Sequence, residues 1–233
     1  YTGWYTLSLH DALPISRKDW RDFYAVDARV TTQVAMERLD ELRAPGASPR
    51  GFFLLVHDQC VHHPYTPDGE AVFGKAPIDR YDACLQECDR WLAELVRNAT
   101  EGPGASSTYV FLLGDHGEEF GEHGFETHGH GLFETALRAP LLVWGPGVEP
   151  RTVSGPVSMV DVGTTLFDLF DRPLPPTVEG ISLLPFLFTT DRTPPVDRDL
   201  FFYASRKLNG SPRHQAAILR GTQKLVWHLE SNS

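Results

Sequence analysis

The apolar positions of the chain form short continuous runs that alternate with segments of helical spacing. Runs at 51–56, 108–113 and 140–144 are bounded by turn-forming residues and predict buried strands. Apolar residues recur every three or four positions at 28–42 and, most clearly, at 80–96, which predicts two amphipathic helices. Strands and helices are therefore expected to alternate through about residue 170.

The pattern changes in the last third of the chain. Residues 157–160 are predicted to be extended, and Asp161 to cap a helix that continues through Phe170. Three short strands follow, at 200–203, 216–219 and 224–227, with a hairpin turn at 220–223. This order predicts an α/β fold, in which helices flank a mixed, mostly parallel sheet and a small antiparallel sheet is appended at the C-terminus.

The loop between the second and third predicted strands is dense in residues of metal-site type. Its members are Asp115, His116, Glu118, His123, His128 and His130. In open α/β sheets, ligands bind just beyond the carboxyl ends of strands, so Asp115 and His116 are candidate metal ligands there. Oxygen-rich surroundings would favour Ca²⁺ or Mg²⁺, and nitrogen-rich ones Zn²⁺ or Mn²⁺. A solvated surface turn is the alternative, and the density of ligand-type residues favours the metal.

Two further histidines are candidates for acid–base or anion-binding roles. His62 follows the strand at 51–56 and precedes a proline-containing loop; considered alone, it is more often an ordinary loop residue. His128 lies among glycines, which suits either a general acid or an anion-binding residue. Capping of a helix that begins near Leu132 is an equally good interpretation of His128 alone.

Composition narrows the function classes. A net charge of −10 argues against nucleic-acid binding, which needs a basic surface. No apolar run approaches the ~20 residues of a membrane span. Cysteines at 60, 84 and 88 form no CxxC pair and no even-numbered disulfide framework, so the compartment is left open. Cys84 and Cys88, one turn apart on a predicted helix, are interpreted as core residues.

The first residues do not have the character of the rest. Residues 5–15 (YTLSLHDALPI) resemble the translation of a common DNA sequencing adapter. A segment of that origin would not belong to the native fold. We therefore predict a non-native segment at 1–16, a partial α/β domain at 17–190, which the resemblance described below makes the catalytic domain, and a small antiparallel subdomain at 191–233, for which truncation is one interpretation. On this interpretation the N-terminal part of the fold is missing.

Several segments together resemble a known family. GDHGEEFGEHG followed by HGHGLFETALRAPLLVWGPG is similar to the carboxyl-terminal half of arylsulfatase-like sulfatases of the alkaline-phosphatase superfamily. FFLLVHDQCVHHPYTP and RYDACLQECDRWLAEL resemble segments that precede this block in those enzymes, and the stretch beginning VSMVDVGTTLFDLF resembles the one that follows. The resemblance covers roughly residues 25–228, and its central block is highly specific.

The resemblance implies a metal-dependent sulfuric ester hydrolase. One divalent cation, usually Ca²⁺ with Mn²⁺ or Zn²⁺ as alternatives, would be bound by Asp115 and His116 together with an Asp pair from nearer the amino end. His62 would bind the sulfate oxygens, and His128 would hold the anion and protonate the leaving alcohol. Cys60 departs from the family, which usually has Asp there. The substrate would be the sulfate ester of a small molecule or a glycan.

Two features of the resemblance leave other functions open. Many sulfatases have Asn where His116 stands, whereas phosphonate and phosphodiester hydrolases and phosphoethanolamine transferases of the same superfamily have His. The family nucleophile, a formylglycine made in a Cys/Ser-x-Pro/Ala-x-Arg motif, has no counterpart in this chain and is expected upstream of it. We therefore expect the chain to be inactive as given. A non-catalytic, sulfatase-like metal-binding module is the remaining alternative.

Overall fold

Strands and helices alternate along most of the chain, and three strands follow one another at its end. A computed structural model describes residues 4–7, 28–47, 51–67, 73–189, 193–208 and 211–229. In chain order the helices and strands are β1 (Trp4–Leu7), α1 (Ala28–Arg43), β2 (Phe53–Val56), α2 (Pro77–Glu101), β3 (Val110–Leu113), α3 (Glu134–Leu137), β4 (Leu141–Trp144), α4 (Met159–Leu169), α5 (Leu184–Leu187), β5 (Asp199–Leu208), β6 (Ser211–Arg220) and β7 (Gln223–Leu229). The predicted α/β succession is confirmed.

The described strands form three small sheets. β1 and β2 pair in parallel, with Trp4 opposite Phe53, and β3 pairs with β4. β5, β6 and β7 form an antiparallel sheet in that order, which confirms the predicted C-terminal sheet. Its second hairpin turns at Gly221, whose φ of +60° lies in the left-handed region that glycine adopts without strain.

The described residues fall into two units, Tyr1–Val110 with Trp144–Pro146 and Phe111–Val143 with Gly147–Ser233. In the first unit, α1 packs against α2. The buried side chains of α1 are Ala28, Thr31, Thr32, Ala35, Leu39 and Leu42, whereas the apolar side chains of Val30 and Val34 are only half-buried. The distance between packed helices depends on the side chains at the contact, and the small residues of α1 suit a close approach.

Arg43 joins the end of α1 to the end of α2. Its guanidinium donates hydrogen bonds to the carbonyl oxygens of Asn98 (3.2 Å) and Ala99 (2.8 Å) and to Oγ1 of Thr108 (3.1 Å). The last carbonyls of a helix have no partner within the helix. Arg43 satisfies that of Ala99 and adds a second hydrogen bond to that of Asn98, which also accepts the N–H of Gly102 at 3.1 Å. Arg43 thereby fixes the segment that leads into β3.

A disulfide corrects the sequence-based view of the cysteines. Cys60, in the loop after β2, is bonded to Cys88 on α2 across 28 residues, with Cα atoms 5.8 Å apart. Cys84 is free and buried, as expected of a core residue, but Cys88 is a bridge residue. The helical spacing of positions 84 and 88 identifies their shared face, whereas the partner comes from a distant loop that the spacing does not reveal.

The start of α4 also differs from the prediction. Ser158 is the N-cap and the helix begins at Met159, so residues 159–160 are helical and not extended. Asp161 is the third helical residue, and its carboxylate accepts a hydrogen bond from the backbone N–H of Ser158 at 2.8 Å. An acidic side chain can accept a free backbone N–H at a helix N-terminus from the N-cap or from the third helical position. The sequence pattern therefore did not distinguish these two positions for Asp161.

The predicted domain limits fall largely on segments outside the described residues. This applies to 8–16 of the adapter-like segment and to the proposed boundary at 190–191. Both assignments stay predictions. Among the helices that the structure describes, none combines the length and the apolar character needed to span a membrane.

Candidate active site

Asp115 and His116 lie immediately beyond β3. Gly114 separates them from the strand, and its N–H donates to the carbonyl of Pro140 (3.1 Å), which leads into β4. The backbone N–H of His116 donates to Oδ1 of Asp115 at 3.0 Å. Both side chains are open to solvent, 77% exposed for Asp115 and 38% for His116. The apolar strand thus delivers two polar side chains to one accessible edge.

The His116 ring has the tautomer that a metal ligand requires. Its Nδ1 lies 2.8 Å from the carbonyl oxygen of Gly117, and because a carbonyl only accepts, Nδ1 carries the proton. In the neutral ring Nε2 then has the lone pair, and it lies 3.6 Å from Oδ2 of Asp115. Histidines that bind metals commonly donate their other N–H to a backbone carbonyl in this way. One imidazole nitrogen and one carboxylate oxygen therefore lie side by side at this edge.

Gly117 holds this turn against α3. Its N–H donates to the carbonyl of Ala136 at 2.8 Å. A Cβ at this position would overlap the carbonyl oxygen of Thr135 and lie 2.9 Å from that of Arg138. Because both obstacles are backbone atoms, the close approach depends on glycine. The position of His116 therefore depends on contact with a short helix that begins 17 residues further along the chain.

His128 is brought to His116 by the return of the same loop. The two imidazole rings lie with centroids 3.7 Å apart at 36°. Nδ1 of His128 contacts Oε1 of Glu118 at 3.0 Å, and the Glu118 side chain is only 8% exposed. The loop path uses left-handed backbone at Thr127 (φ +68°) and Gly129 (φ +80°) on either side of His128. Asp115, His116 and His128 are thus neighbours in one unit, with Glu118 orienting the last of them.

Glu119 and His123 support this loop from within. The Glu119 side chain is fully buried, and its Oε1 accepts hydrogen bonds from Nδ1 of His123 (2.7 Å) and Oγ1 of Thr135 (3.2 Å). His123 stacks on Phe133 with centroids 3.8 Å apart. His130 stacks on Phe125 at 4.7 Å. These contacts give His123 and His130 packing roles within the loop.

Sequence reasoning missed the two roles of the Glu118–Glu119 pair. One carboxylate faces His128 and the next faces His123. The only signal for this in the sequence is a pair of adjacent acids followed by a histidine four residues after the second. Its meaning depends on the fold of the loop, because Glu118 and His128 are ten residues apart.

His62 lies in the other unit, in the loop after β2. Its Nδ1 is 2.6 Å from the carbonyl oxygen of His63, and its own carbonyl accepts the N–H of Tyr65 at 3.1 Å. The His63–Pro64 peptide bond is cis, and the Tyr65 side chain is buried. Tight local hydrogen bonds therefore hold His62 in a defined turn.

A family model described as Sulfatase matches residues 5–172, which is more than half of the chain. The chain belongs to the sulfatase family. A Choline-sulfatase of Rhizobium meliloti is 30% identical over 223 residues, which cover 94% of this chain and 40% of that protein. Arylsulfatase K of Homo sapiens is 31% identical over 151 residues, which cover 63% of this chain and 27% of that protein. The chain thus spans less than half the length of these relatives.

Solved sulfatase structures share the fold. A putative sulfatase from Bacteroides thetaiotaomicron aligns with a TM-score of 0.60 at 18% identity, over 88% of this chain and 55% of that one. A 2-O GAG sulfatase aligns with a TM-score of 0.64 at 15% identity over the same shares. A phosphonate monoester hydrolase from Silicibacter pomeroyi gives 0.54 at 21% identity, over 65% and 33%. These likenesses confirm the expected sulfatase-type α/β fold, and sulfatases generally bind a divalent metal.

Proposed function

We propose that this chain is the part of a metal-dependent sulfuric ester hydrolase that carries Asp115, His116, His62 and His128. The observation that carries the proposal is the cluster beyond β3. Nε2 of His116 lies 3.6 Å from the Asp115 carboxylate, and the His128 ring lies 3.7 Å from the His116 ring. Family membership adds support, because the sulfatase model matches this segment as part of residues 5–172.

Asp115 and His116 are the proposed metal ligands of this chain. A carboxylate oxygen with an imidazole nitrogen suits Ca²⁺, with Mn²⁺ or Zn²⁺ as alternatives. A bound cation would supply positive charge that stabilises the negative charge spreading over the ester oxygens. Two side chains do not complete a coordination sphere, so the proposal includes two Asp ligands from sequence that this chain does not contain.

His128 is the proposed proton donor to the leaving alcohol. Its Nδ1 is held by Glu118 at 3.0 Å, which makes Nε2 the nitrogen that exchanges a proton with the departing oxygen. Glu118 fixes the ring orientation while the proton moves. A general acid held in this way contributes roughly 100- to 10,000-fold to the rate of such a reaction.

His62 is the proposed contact to the sulfate oxygens. With Nδ1 bonded to the carbonyl of His63, Nε2 donates to an anionic oxygen when the ring is protonated. The nucleophile, a formylglycine outside this chain, completes the proposal. Similar proteins include a choline-sulfatase and a 2-O GAG sulfatase, so the proposed substrate class is the sulfate ester of a small molecule or a glycan.

Two other functions are alternatives to the sulfatase proposal. His116, where many sulfatases have Asn, and the fold shared with a phosphonate monoester hydrolase favour hydrolysis of a phosphonate or phosphodiester, or phosphoethanolamine transfer. The other alternative is a non-catalytic metal-binding module, which a full-length gene without any Cys/Ser-x-Pro/Ala-x-Arg motif would favour. The sulfatase proposal ranks first because its relatives match along more of the chain.

The deciding experiment compares the 233-residue chain with the same chain extended by the coding sequence that precedes Ser16 in its gene. We expect the chain alone to release no alcohol from an aryl sulfate, and the extended protein to hydrolyse aryl sulfate faster than aryl phosphonate. His128→Ala should lower the rate about 100- to 10,000-fold. His228→Ala, which removes an exposed histidine of β7, is the matched control.

Each alternative has its own outcome in this assay. Faster phosphonate hydrolysis would replace the sulfatase proposal with the phosphoryl-ester one. Metal binding without any hydrolysis by the extended protein would indicate the non-catalytic module. Aryl sulfate hydrolysis by the 233-residue chain alone would show that the proposed external nucleophile is wrong.

A further inference from the structure

A second cluster of ligand-type atoms lies in the first unit, away from the loop after β3 in sequence. Among the described residues, one group of three such side chains has its ligand atoms within 4.8 Å of one another: Asp58, Cys60 and Cys88. The two sulfurs form the disulfide that joins the loop after β2 to α2. Cys88 is buried, at 5% exposed, whereas Asp58 and Cys60 are half-buried, so the cluster is accessible from one side.

The carboxylate of Asp58 is fixed beside the bridge. Its Oδ1 accepts the backbone N–H of Cys60 at 2.7 Å, which orients the carboxyl group toward the sulfurs. In the oxidised state both sulfurs are bonded to each other and are poor metal ligands. Reduction would leave two thiols and one carboxylate within the span of a single ion.

We propose that the reduced protein binds a thiophilic divalent cation, with Zn²⁺ as the model, through Asp58, Cys60 and Cys88. Zinc favours thiolate sulfur at about 2.3 Å and carboxylate oxygen at about 2.0–2.2 Å, and water would complete a tetrahedral set. These donors differ from the oxygen and nitrogen pair of Asp115 and His116. Only the proposed site at Asp58, Cys60 and Cys88 offers sulfur ligands, so a thiolate signal distinguishes it from Asp115 and His116.

Metal binding follows reduction of the Cys60–Cys88 disulfide. A dithiol reductant transfers two electrons to the disulfide, the S–S bond breaks, and the reductant becomes a cyclic disulfide. Zinc then displaces the two thiol protons to solvent as it binds the thiolates. Either the disulfide or the metal ties the His62 loop to α2, so the cation replaces one cross-link with another.

Cobalt is a suitable probe, because thiolate ligands give Co²⁺ a charge-transfer absorption that carboxylates and histidines do not. The full 233-residue chain is reduced with a dithiol under anaerobic conditions, freed of reductant, and titrated with Co²⁺ beside the oxidised chain. We expect the band to appear with one equivalent in the reduced protein only, and stoichiometric Zn²⁺ to abolish it.

Variants assign the ligands. Cys88→Ser should weaken cobalt affinity at least about 100-fold. Loss of a residue that only hydrogen-bonds to a metal ligand already lowers metal affinity about 10- to 100-fold, and loss of a ligand should cost more. Cys84→Ser, one turn away on α2, and His116→Ala should keep the band. Asp58→Asn, which leaves all three cysteines in place, should weaken binding without abolishing the thiolate band. Circular dichroism of each reduced variant checks that it is folded.

Three results would overturn the proposal. They are the absence of the band in reduced wild type, a band of equal strength in the oxidised protein, and loss of the band in Cys84→Ser to the same extent as in Cys88→Ser. The last would indicate non-specific binding by thiols of an unfolded chain.

Discussion

The carboxylate of Asp161 is fully buried and accepts two hydrogen bonds from the guanidinium of Arg198, at 2.8 and 2.7 Å. Asp161 also accepts the backbone N–H groups of Ser158 (2.8 Å) and Ile181 (2.9 Å). One side chain therefore joins the start of α4, the loop before α5 and the residue that precedes β5. All of these lie in the unit that carries Asp115, His116 and His128.

Removal of Arg198 should destabilise this unit strongly. Arg198→Met leaves the Asp161 carboxylate buried without its counter-charge, and breaking a buried pair costs about 3–5 kcal/mol of unfolding free energy. Urea denaturation at neutral pH measures the loss. Arg220→Met is the matched control, since it removes an arginine whose pair with Asp199 is open to solvent and should change stability little. Equal losses in both variants would contradict the role assigned to the buried pair.

The glycine after His116 should be needed for metal binding by the loop. Gly117→Ala places a methyl group against the backbone of α3, so the turn that carries Asp115 and His116 must shift. We expect a lower melting temperature and weaker Mn²⁺ binding by the 233-residue chain. Gly163→Ala, inside α4 where a Cβ meets no atom within 4 Å, should instead raise stability by about 0.5–1 kcal/mol and leave Mn²⁺ binding unchanged. An unaltered Mn²⁺ affinity in Gly117→Ala would contradict the inference that the turn at Gly117 positions the metal ligands.

Much of the secondary structure was predictable because its signals are local. β3 and β4 are continuous apolar runs between turn residues, and α2 has apolar residues at helical spacing over many turns. The predicted start of α4 was three residues too late, because Asp161 suits both the N-cap and the third helical position. Asp115 and His116 could be proposed as a pair because the end of a strand fixes where they lie.

The contacts that orient the site could not be predicted, because they join residues through the path of a loop. The pairing of Glu118 with His128 depends on left-handed backbone at Thr127 and Gly129. The disulfide of Cys60 with Cys88 depends on how the loop after β2 meets α2. No periodicity in the sequence reports either relationship. The resemblance to sulfatases indicated a functional role for His128, but it did not indicate that the Glu118 carboxylate orients its ring.

Glu118 should control the proton position on His128. In Glu118→Ala the ring loses the carboxylate that faces Nδ1, so nitrogen-15 NMR should report a shift of the proton away from Nδ1. Glu118→Gln retains an acceptor oxygen and should restore the wild-type tautomer in part. In the extended protein, Glu118→Ala should lower turnover by less than the about 100- to 10,000-fold that a general acid contributes.

Glu126→Ala, which removes an exposed carboxylate of the same loop, is the control for both measurements. An unchanged His128 spectrum in Glu118→Ala would contradict the orienting role. Equal effects in Glu118→Ala and Glu126→Ala would indicate a general loss of loop order.

Cys84 should be protected from alkylation in the folded protein. Burial raises the pKa of its thiol from 9.0 to about 11, and the side chain is only 3% exposed. Iodoacetamide at pH 8 should therefore label no cysteine in the native oxidised chain, one after denaturation without reductant, and three after denaturation with reductant, as counted by mass spectrometry. Two or more labels without reductant would disprove the disulfide.

The raised pKa of the Cys84 thiol predicts that the stability of the folded protein falls at alkaline pH. The folded state holds the Cys84 proton more tightly than the unfolded state, so the contribution of this thiol is fully present below pH 9. It should decline as the pH rises from 9.0 toward about 11, because the unfolded thiol ionises first. Denaturation of Cys84→Ala should lack this component of the alkaline decline. If wild type and Cys84→Ala lose stability in parallel over this range, burial does not hold the thiol in its neutral form.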